Sequence, residues 1–237
     1  MKSVLSAIAL LALLSPAAHA AGVVGAWQLT EPDGAVQTLI VTDGQFSVAK
    51  YRTDPAKFLS TGGGTWTGEP AGDGEVRFTY EFDTATPERV GTTLNAPLHL
   101  EDGQMTIDGV TWTRLDDGSP GALQGAWLIT GGKRDGEIRT RRPGARRTMK
   151  ILSGTRFQWI AYNVDTKEFF GTGGGTYTTE GGQYTENIEF FSRDDARAGL
   201  SLPFRYELVD GVWHHEGKST SGNPMYELWT RREDLGI

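Results

Sequence analysis

Four polar residues in the C-terminal half have side chains suited to orienting a small ligand: Glu186, His215, Glu227 and Arg231. Period-two alternation predicts that Glu186 lies on an apolar strand face, and that Glu227 shares a face with Arg231. A carboxylate in an apolar interior is costly unless it has a hydrogen-bonding partner, a water-filled space or a ligand. Aromatic neighbours complete the predicted ligand-binding set: Trp159, Tyr162, Tyr184, Glu186, Trp213, His215, Glu227 and Arg231.

The same residues allow two other interpretations. Arg231 can be fully used by Trp127 and Glu227, which would leave a satisfied internal ion pair and no ligand. Alternatively, Glu186 or Glu227 serves as a base and His215 as an acid in a cofactor-free isomerase or cyclase. The sequence contains no Cys, no Gly-x-Ser-x-Gly motif and no recognisable metal-ligand spacing, so we assign no catalytic residue, no metal and no cofactor.

A second candidate site is the basic segment from Lys133 to Lys150. It contains eight Lys and Arg residues but only two acidic residues. Such a segment can bind an anionic headgroup, a polysaccharide or an acidic partner at the cell envelope. The turn-like sequence at residues 141–144 equally fits a solvated, mobile hairpin tip. The arginines assigned to an anionic partner are Arg139, Arg141, Arg142, Arg146 and Arg147.

The chain contains an internal repeat, which indicates how these residues are positioned. Residues 25–27 (Gly-Ala-Trp) recur as residues 125–127, residues 62–67 as residues 173–178, and residues 112–114 (Trp-Thr-Arg) as residues 229–231. Alignment of the two copies places Glu186 opposite Phe78 and Glu227 opposite Val110. The second copy therefore has acidic groups where the first has apolar ones.

Hairpin signals determine the expected fold. Residues 36–42 and 45–51 flank an Asp-Gly pair, as do residues 98–101 and 104–107. About eight such strands in each copy form a meander, and closing a meander into a barrel removes its exposed edges. We predict an all-β protein of two tandem up-and-down antiparallel barrels. A single fused barrel or sandwich is the alternative.

A Gly-x-Trp on the first strand and an Arg on the last strand of each meander resemble the lipocalin-like (calycin) superfamily. The pairs are Trp27 with Arg114 and Trp127 with Arg231. The resemblance implies that each guanidinium packs over its indole at the closed end of a barrel, a contact worth roughly 0.5–2 kcal/mol. It also implies an interior that is filled by side chains or holds one small ligand.

The first 20 residues are typical of a secretory signal peptide, with Lys2, an apolar stretch and cleavage near Ala20. The predicted divisions are residues 1–20 (signal peptide), 21–115 (first barrel), 116–122 (linker) and 123–237 (second barrel). No mature segment is apolar enough to span a bilayer as a helix. The net charge of -7 argues against bulk nucleic-acid binding.

These observations lead to one preferred hypothesis. The protein is expected to be exported to a bacterial periplasm or exterior, where its second barrel binds a small apolar or amphipathic ligand and its first barrel is chiefly structural. The cell-envelope module and the isomerase or cyclase remain the alternatives. The identity of the ligand and the oligomeric state do not follow from the sequence.

Overall fold

The computed structural model describes residues 22–68, 74–119 and 121–237, and the predicted signal peptide lies outside them. The chain forms two closed β-barrels in tandem, each with eight antiparallel strands joined mainly in chain order. The predicted all-β fold of two up-and-down barrels is therefore confirmed. Closure pairs the backbone groups that the first and last strands of each meander would otherwise expose.

Two-residue turns and longer connections join the strands of the first barrel. They are β1 (Gly25–Thr30), β2 (Val36–Thr42), β3 (Gln45–Thr53), β4 (Ala56–Thr67), β5 (Gly74–Asp83), β6 (Thr93–Glu101), β7 (Gln104–Ile107) and β8 (Val110–Asp116). Strand β8 pairs back with β1 and closes the barrel. Asp116, placed in the linker by the sequence, is the last residue of β8.

The second barrel repeats this order and adds one strand. Its strands are β9 (Gly125–Arg134), β10 (Glu137–Thr140), β11 (Arg146–Leu152), β12 (Arg156–Asn163), β13 (Phe169–Glu180), β14 (Gln183–Phe191), β15 (Ser201–Val209), β16 (Val212–Lys218) and β17 (Pro224–Arg231), followed by the short helix α1 (Arg232–Leu235). Pairing of β9 with β17 closes the barrel. Strand β10 pairs with β9 and extends the sheet beyond the closed ring.

Each barrel has a Trp and an Arg in contact at one end. The Arg114 guanidinium lies 3.9 Å from the centre of the Trp27 ring, and that of Arg231 lies 4.4 Å from the Trp127 ring. The two indole N–H groups donate to backbone oxygens four residues earlier in the chain. At Gly125, which has a φ of 129°, an added Cβ would lie 2.3 Å from Nη1 of Arg231. The absence of a side chain at Gly125 thus lets the Arg231 guanidinium pack closely against the backbone.

The interior of the first barrel is apolar. Its buried cluster consists of Val23, Trp27, Leu39, Val41, Phe46, Trp66, Val76, Phe78, Ala96, Leu98, Met105 and Trp112. Burial of such side chains from water stabilises the fold by about 25 cal/mol per Å² of apolar surface. This barrel has the composition of a packed hydrophobic core.

A second apolar cluster joins the two barrels. Ile40 and Phe82 of the first barrel pack with Leu128, Ile160 and Tyr162 of the second. Ile40, Leu128 and Ile160 alternate along their strands with interior residues, so they belong to the outer faces of the two sheets. A register shift in the β4–β5 pairing brings Phe82 to the outer face as well. The two barrels therefore bury part of their outer surfaces against each other.

Candidate ligand-binding site in the second barrel

A buried ion pair lies inside the second barrel. Lys150 on β11 donates from Nζ to Oε1 of Glu186 on β14 at 2.7 Å, and the two side chains are only 5% and 6% exposed. The ammonium also lies 5.0 to 5.7 Å from the ring centres of four aromatic residues: Tyr184, Phe204, Trp213 and Trp229. The pair satisfies the expectation that Glu186 needs a buried partner.

Lys150 was not predicted as an interior residue, because it was counted with the basic segment. The signal was present in the strand pattern: Lys150 lies two residues from Leu152, which belongs to the interior cluster of the second barrel. Alternation in β11 thus points both side chains inward. Met149 and Ile151, on the opposite face, belong to the cluster between the barrels.

A second polar pair, His215 and Glu227, lies on neighbouring strands. Nδ1 of His215 and Nε1 of Trp229 lie 3.2 and 3.1 Å from the same carboxylate oxygen of Glu227, Oε2. Burial and the nearby charge of Lys150 lower the pKa of His215, which favours its neutral form. Burial alone would raise the pKa of Glu227, but its hydrogen bond with His215 and the nearby charge of Lys150 hold it below its ordinary value.

The structure confirms that the two copies differ at equivalent strand positions, three of which are interior in both barrels. Strand register aligns Phe78, paired with Trp66, with Glu186, paired with Tyr177. It likewise aligns Ile107 and Val110, which pair with each other, with His215 and Glu227, which also pair. The fourth aligned position is Leu39 in the first barrel and Lys150 in the second. Leu39 pairs with Trp27, and Lys150 pairs with the equivalent Trp127. Four apolar side chains are thus replaced by four polar ones.

These polar residues form one wall of a cavity of about 360 Å³. Lys150, Glu186, His215 and Glu227 line this wall, whereas the apolar walls include Trp159, Phe191, Leu202, Phe204, Met225 and Trp229. Trp159 packs edge-on against Phe191, with ring centres 5.5 Å apart. The cavity therefore brings aromatic and aliphatic side chains beside charged and polar ones, so it can contact both parts of an amphipathic molecule.

Two exposed arginines border the opening of the cavity, Arg146 and Arg193. Arg146 lies over the ring of Phe170 at 4.4 Å, and Arg193 lies over the ring of Trp159 at 5.6 Å. Arg193 also donates from Nε to the Phe170 carbonyl at 2.9 Å. Both guanidinium groups are thus held against aromatic rings at the edge of the cavity.

Tyr184 and Trp213 lie within the barrel but do not line the cavity. Both side chains are fully buried, and their rings pack against each other and against His215. The Tyr184 hydroxyl, Trp213 Nε1 and His215 Nε2 have no hydrogen-bond partner among the described residues. Burial and the adjacent carboxylate of Glu186 raise the pKa of Tyr184, so its hydroxyl stays protonated.

Two further members of the predicted ligand-binding set, Tyr162 and Arg231, do not line the cavity. Tyr162 points out of the second barrel, packs on Phe82 and donates its hydroxyl to Glu81 at 2.7 Å. Its position on β12 has the opposite parity to Trp159, so the two side chains leave opposite faces of the sheet. Arg231 lies over Trp127 and donates to the Gln124 carbonyl at 2.7 Å, away from the polar wall.

The basic segment does not form one surface. Arg139, Arg141 and Arg142 are exposed at or after β10, whereas Arg146 borders the cavity. Arg147 instead donates to Glu81 across the barrel interface at 2.9 Å, and Lys150 is buried. The expectation that Arg147 faces an anionic partner is therefore wrong, because Arg147 is already paired within the chain.

The described residues contain no group of three or more His, Cys, Asp or Glu side chains able to hold a metal ion. In the same ranges, no helix has the length and apolar character needed to cross a membrane. Comparison with known proteins finds no protein-family model that matches this chain and no curated protein that matches it.

Proposed function

We propose that this protein is an exported binding protein of the lipocalin-like (calycin) type whose second barrel holds a small amphipathic molecule. The observation that carries the proposal is the difference between the two interiors. Where the second barrel has Lys150, Glu186 and His215 beside a cavity, the first has Leu39, Phe78 and Ile107 in its apolar cluster. The position of Glu227 holds Val110, which is exposed in the first barrel. Buried polar groups make a fold less stable than a packed apolar core would. Binding of a ligand would explain why the second barrel has them.

The cavity dimensions limit the ligand. Ligand pockets commonly measure about 300–1,000 Å³, so a cavity of about 360 Å³ suits a compact molecule. The apolar body would contact Trp159, Phe191 and Trp229, and a polar group would face the polar wall. The first barrel would act as a scaffold that buries one outer face of the second.

Tryptophan fluorescence tests the proposal directly, because Trp159 and Trp229 line the cavity. A panel of small amphipathic compounds, including fatty acids and retinoids, is titrated into the full mature chain. Ala161 also lines the cavity, so Ala161→Phe should fill it and abolish the fluorescence change. Ala85→Phe, at an exposed position of the first barrel, should bind as the wild type does.

Two results would oppose cavity binding. The first is equal binding by the wild type and by Ala161→Phe. The second is failure of every probe to change the fluorescence, together with no small molecule bound to protein purified from its own host in native mass spectrometry. A co-purifying molecule displaced by Ala161→Phe would identify the ligand class.

A second candidate function is contact with an anionic component of the cell envelope. The observation that favours it is strand β10, whose four residues are all exposed. This strand lies outside the closed ring of the second barrel. Lys133, Arg134, Arg139, Arg141 and Arg142 are exposed around this hairpin. Ion pairing within it is weak, with Arg139 3.6 Å from Glu137 and both side chains mostly in water.

A further inference from the structure

The polar wall of the cavity has an unbalanced charge. Inside the arginine-bordered opening, the lining contains one ammonium, Lys150, and two carboxylates, Glu186 and Glu227. Lys150 is paired with Glu186 at 2.7 Å. His215 does not balance Glu227 at neutral pH, because burial lowers the pKa of its imidazole. On this wall one negative charge, that of Glu227, therefore remains without a cationic partner.

Glu227 is the carboxylate that a ligand can reach. Its side chain is 26% exposed, compared with 6% for Glu186. Both hydrogen bonds that Glu227 accepts, from His215 and Trp229, end on Oε2. Its other oxygen, Oε1, accepts no hydrogen bond from the residues that the structure describes. The two neighbours fix the carboxylate in place and leave one oxygen as an open acceptor at the cavity wall.

The surroundings of Glu227 suit a cation better than an anion. Phe204 and Trp229 lie 5.7 and 5.3 Å from the Lys150 ammonium, and Trp159 lies 5.6 Å from the Arg193 guanidinium, so the aromatic rings of this cavity already accept positive charge. The one interior cation, Lys150, already has a carboxylate partner and lies among four rings, so it offers little to an incoming anion. Arg146 and Arg193 lie on the exposed side of the cavity, where water and salt screen their charges.

We propose that the ligand is a primary ammonium compound with an apolar or aromatic body, and that its ammonium group donates a hydrogen bond to Oε1 of Glu227. This inference rests on the proposed function and narrows it to one ligand class. The ammonium balances the remaining carboxylate, and the body contacts Trp159, Phe191 and Met225. Glu227 is thus the residue that determines specificity.

Three probes with the same body test the inference: 3-phenylpropylamine, 3-phenylpropanol and 3-phenylpropionate. Each is titrated into the full mature chain at neutral pH, with tryptophan fluorescence and calorimetry as readouts. A charge-assisted hydrogen bond should make the amine bind about 10-fold more tightly than the alcohol. The carboxylate should bind more weakly than the alcohol because its charge would face Glu227.

Glu227→Gln should remove the preference of the amine over the alcohol while leaving the alcohol bound. Glu216→Gln is the matched control, because Glu216 is exposed on β16 and lies opposite Tyr226 in the strand pairing. This control should keep the preference for the amine. Denaturant unfolding of both variants shows whether either substitution affects the fold.

The outcomes separate the inference from the function on which it rests. Equal binding of amine and alcohol by the wild type, or tightest binding of the carboxylate, overturns the ammonium inference but keeps the cavity as a binding site. These comparisons need only the wild type, so they hold even if Glu227→Gln fails to fold. Absence of binding by all three probes contradicts the inference and, together with a negative ligand panel, the proposed function.

Discussion

At the scale of single residues, the second barrel differs from the first by an interior ion pair where the first has an apolar contact. Lys150 and Glu186 are aligned with Leu39 and Phe78 by strand register. Such pairs rarely stabilise a fold more than apolar residues of similar volume, although removing only one partner is strongly destabilising. The pair is therefore better explained by the cavity that it lines than by stability.

We predict that Lys150→Leu destabilises the protein by about 3–5 kcal/mol, because it leaves the Glu186 carboxylate buried without its cation. The double variant Lys150→Leu/Glu186→Phe, which restores the residues of the first barrel, should regain most of this loss. Denaturant unfolding followed by circular dichroism at neutral pH measures both effects. Lys57→Leu, at an exposed position, is the control and should change stability little. An equal loss in the double and single variants would contradict the prediction.

At the scale of secondary-structure elements, the basic residues of strand β11 lie in three different environments. Arg146 borders the cavity opening, Arg147 pairs with Glu81 of the other barrel, and Lys150 lies inside. Neighbouring side chains of a strand point to opposite faces, so consecutive basic residues cannot share one surface. Within the basic segment from Lys133 to Lys150, the exposed residues around β10 therefore remain available as a basic surface.

We predict that Arg139→Gln/Arg141→Gln/Arg142→Gln weakens binding to vesicles containing an anionic phospholipid, and that this binding falls with added salt. Stability should change by no more than about 0.5 kcal/mol, because these side chains are exposed. A matched control, Arg77→Gln/Arg89→Gln/Arg205→Gln, removes the same charge from exposed positions elsewhere. Vesicle sedimentation compares the two variants. Equal losses would mean that net charge, not the hairpin, governs binding.

At the scale of the whole molecule, the two barrels are joined by polar contacts as well as by the apolar cluster between them. Glu81 of the first barrel accepts hydrogen bonds from Tyr162 at 2.7 Å, Arg147 at 2.9 Å and Arg232 at 2.8 Å, all from the second barrel. Asp116 accepts a bond from the Ser153 hydroxyl at 2.8 Å. These contacts fix the second barrel relative to the first.

We predict that Glu81→Gln destabilises the interface by about 3 kcal/mol or more at neutral pH, because Arg232 is buried and would lose its charged partner. Burial raises the pKa of Glu81, but Arg232, Tyr162 and Arg147 together hold it below 4.5. A lowered carboxyl pKa stabilises the fold above 4.5, and this contribution disappears as the pH falls through the folded-state value.

The difference in unfolding free energy between the wild type and Glu81→Gln should therefore shrink on acidification. Denaturant unfolding over a series of pH values measures this trend. Glu75→Gln, at an exposed position of the same strand, is the control and should show a small difference throughout. A Glu81→Gln effect that is independent of pH would contradict the assignment of Glu81 as an ionised partner at the interface.

Much of the fold was predictable because repeats and alternation are local properties of the sequence. The Asp-Gly hairpins, the repeated Trp and Arg residues and the replacement of Phe78 by Glu186 all appear in the structure. The site was predicted in part. Trp159, Glu186, His215 and Glu227 line one cavity, but Lys150 was missed. The other predicted members do not line it: Tyr162, Tyr184, Trp213 and Arg231.

The sequence by itself determined an all-β chain of two repeated meanders whose later copy has polar groups in its interior, because strand alternation assigns each side chain to a face. It left open two barrels or one fused barrel, and closure of each copy on itself decided between them. Only the tertiary structure decided which outer faces are covered. Packing of the two barrels turns Tyr162 and Arg147 into interface residues, which alternation within one strand does not distinguish from solvent-exposed ones. Barrel closure likewise joins β11 and β14, distant in the chain, and so pairs Lys150 with Glu186.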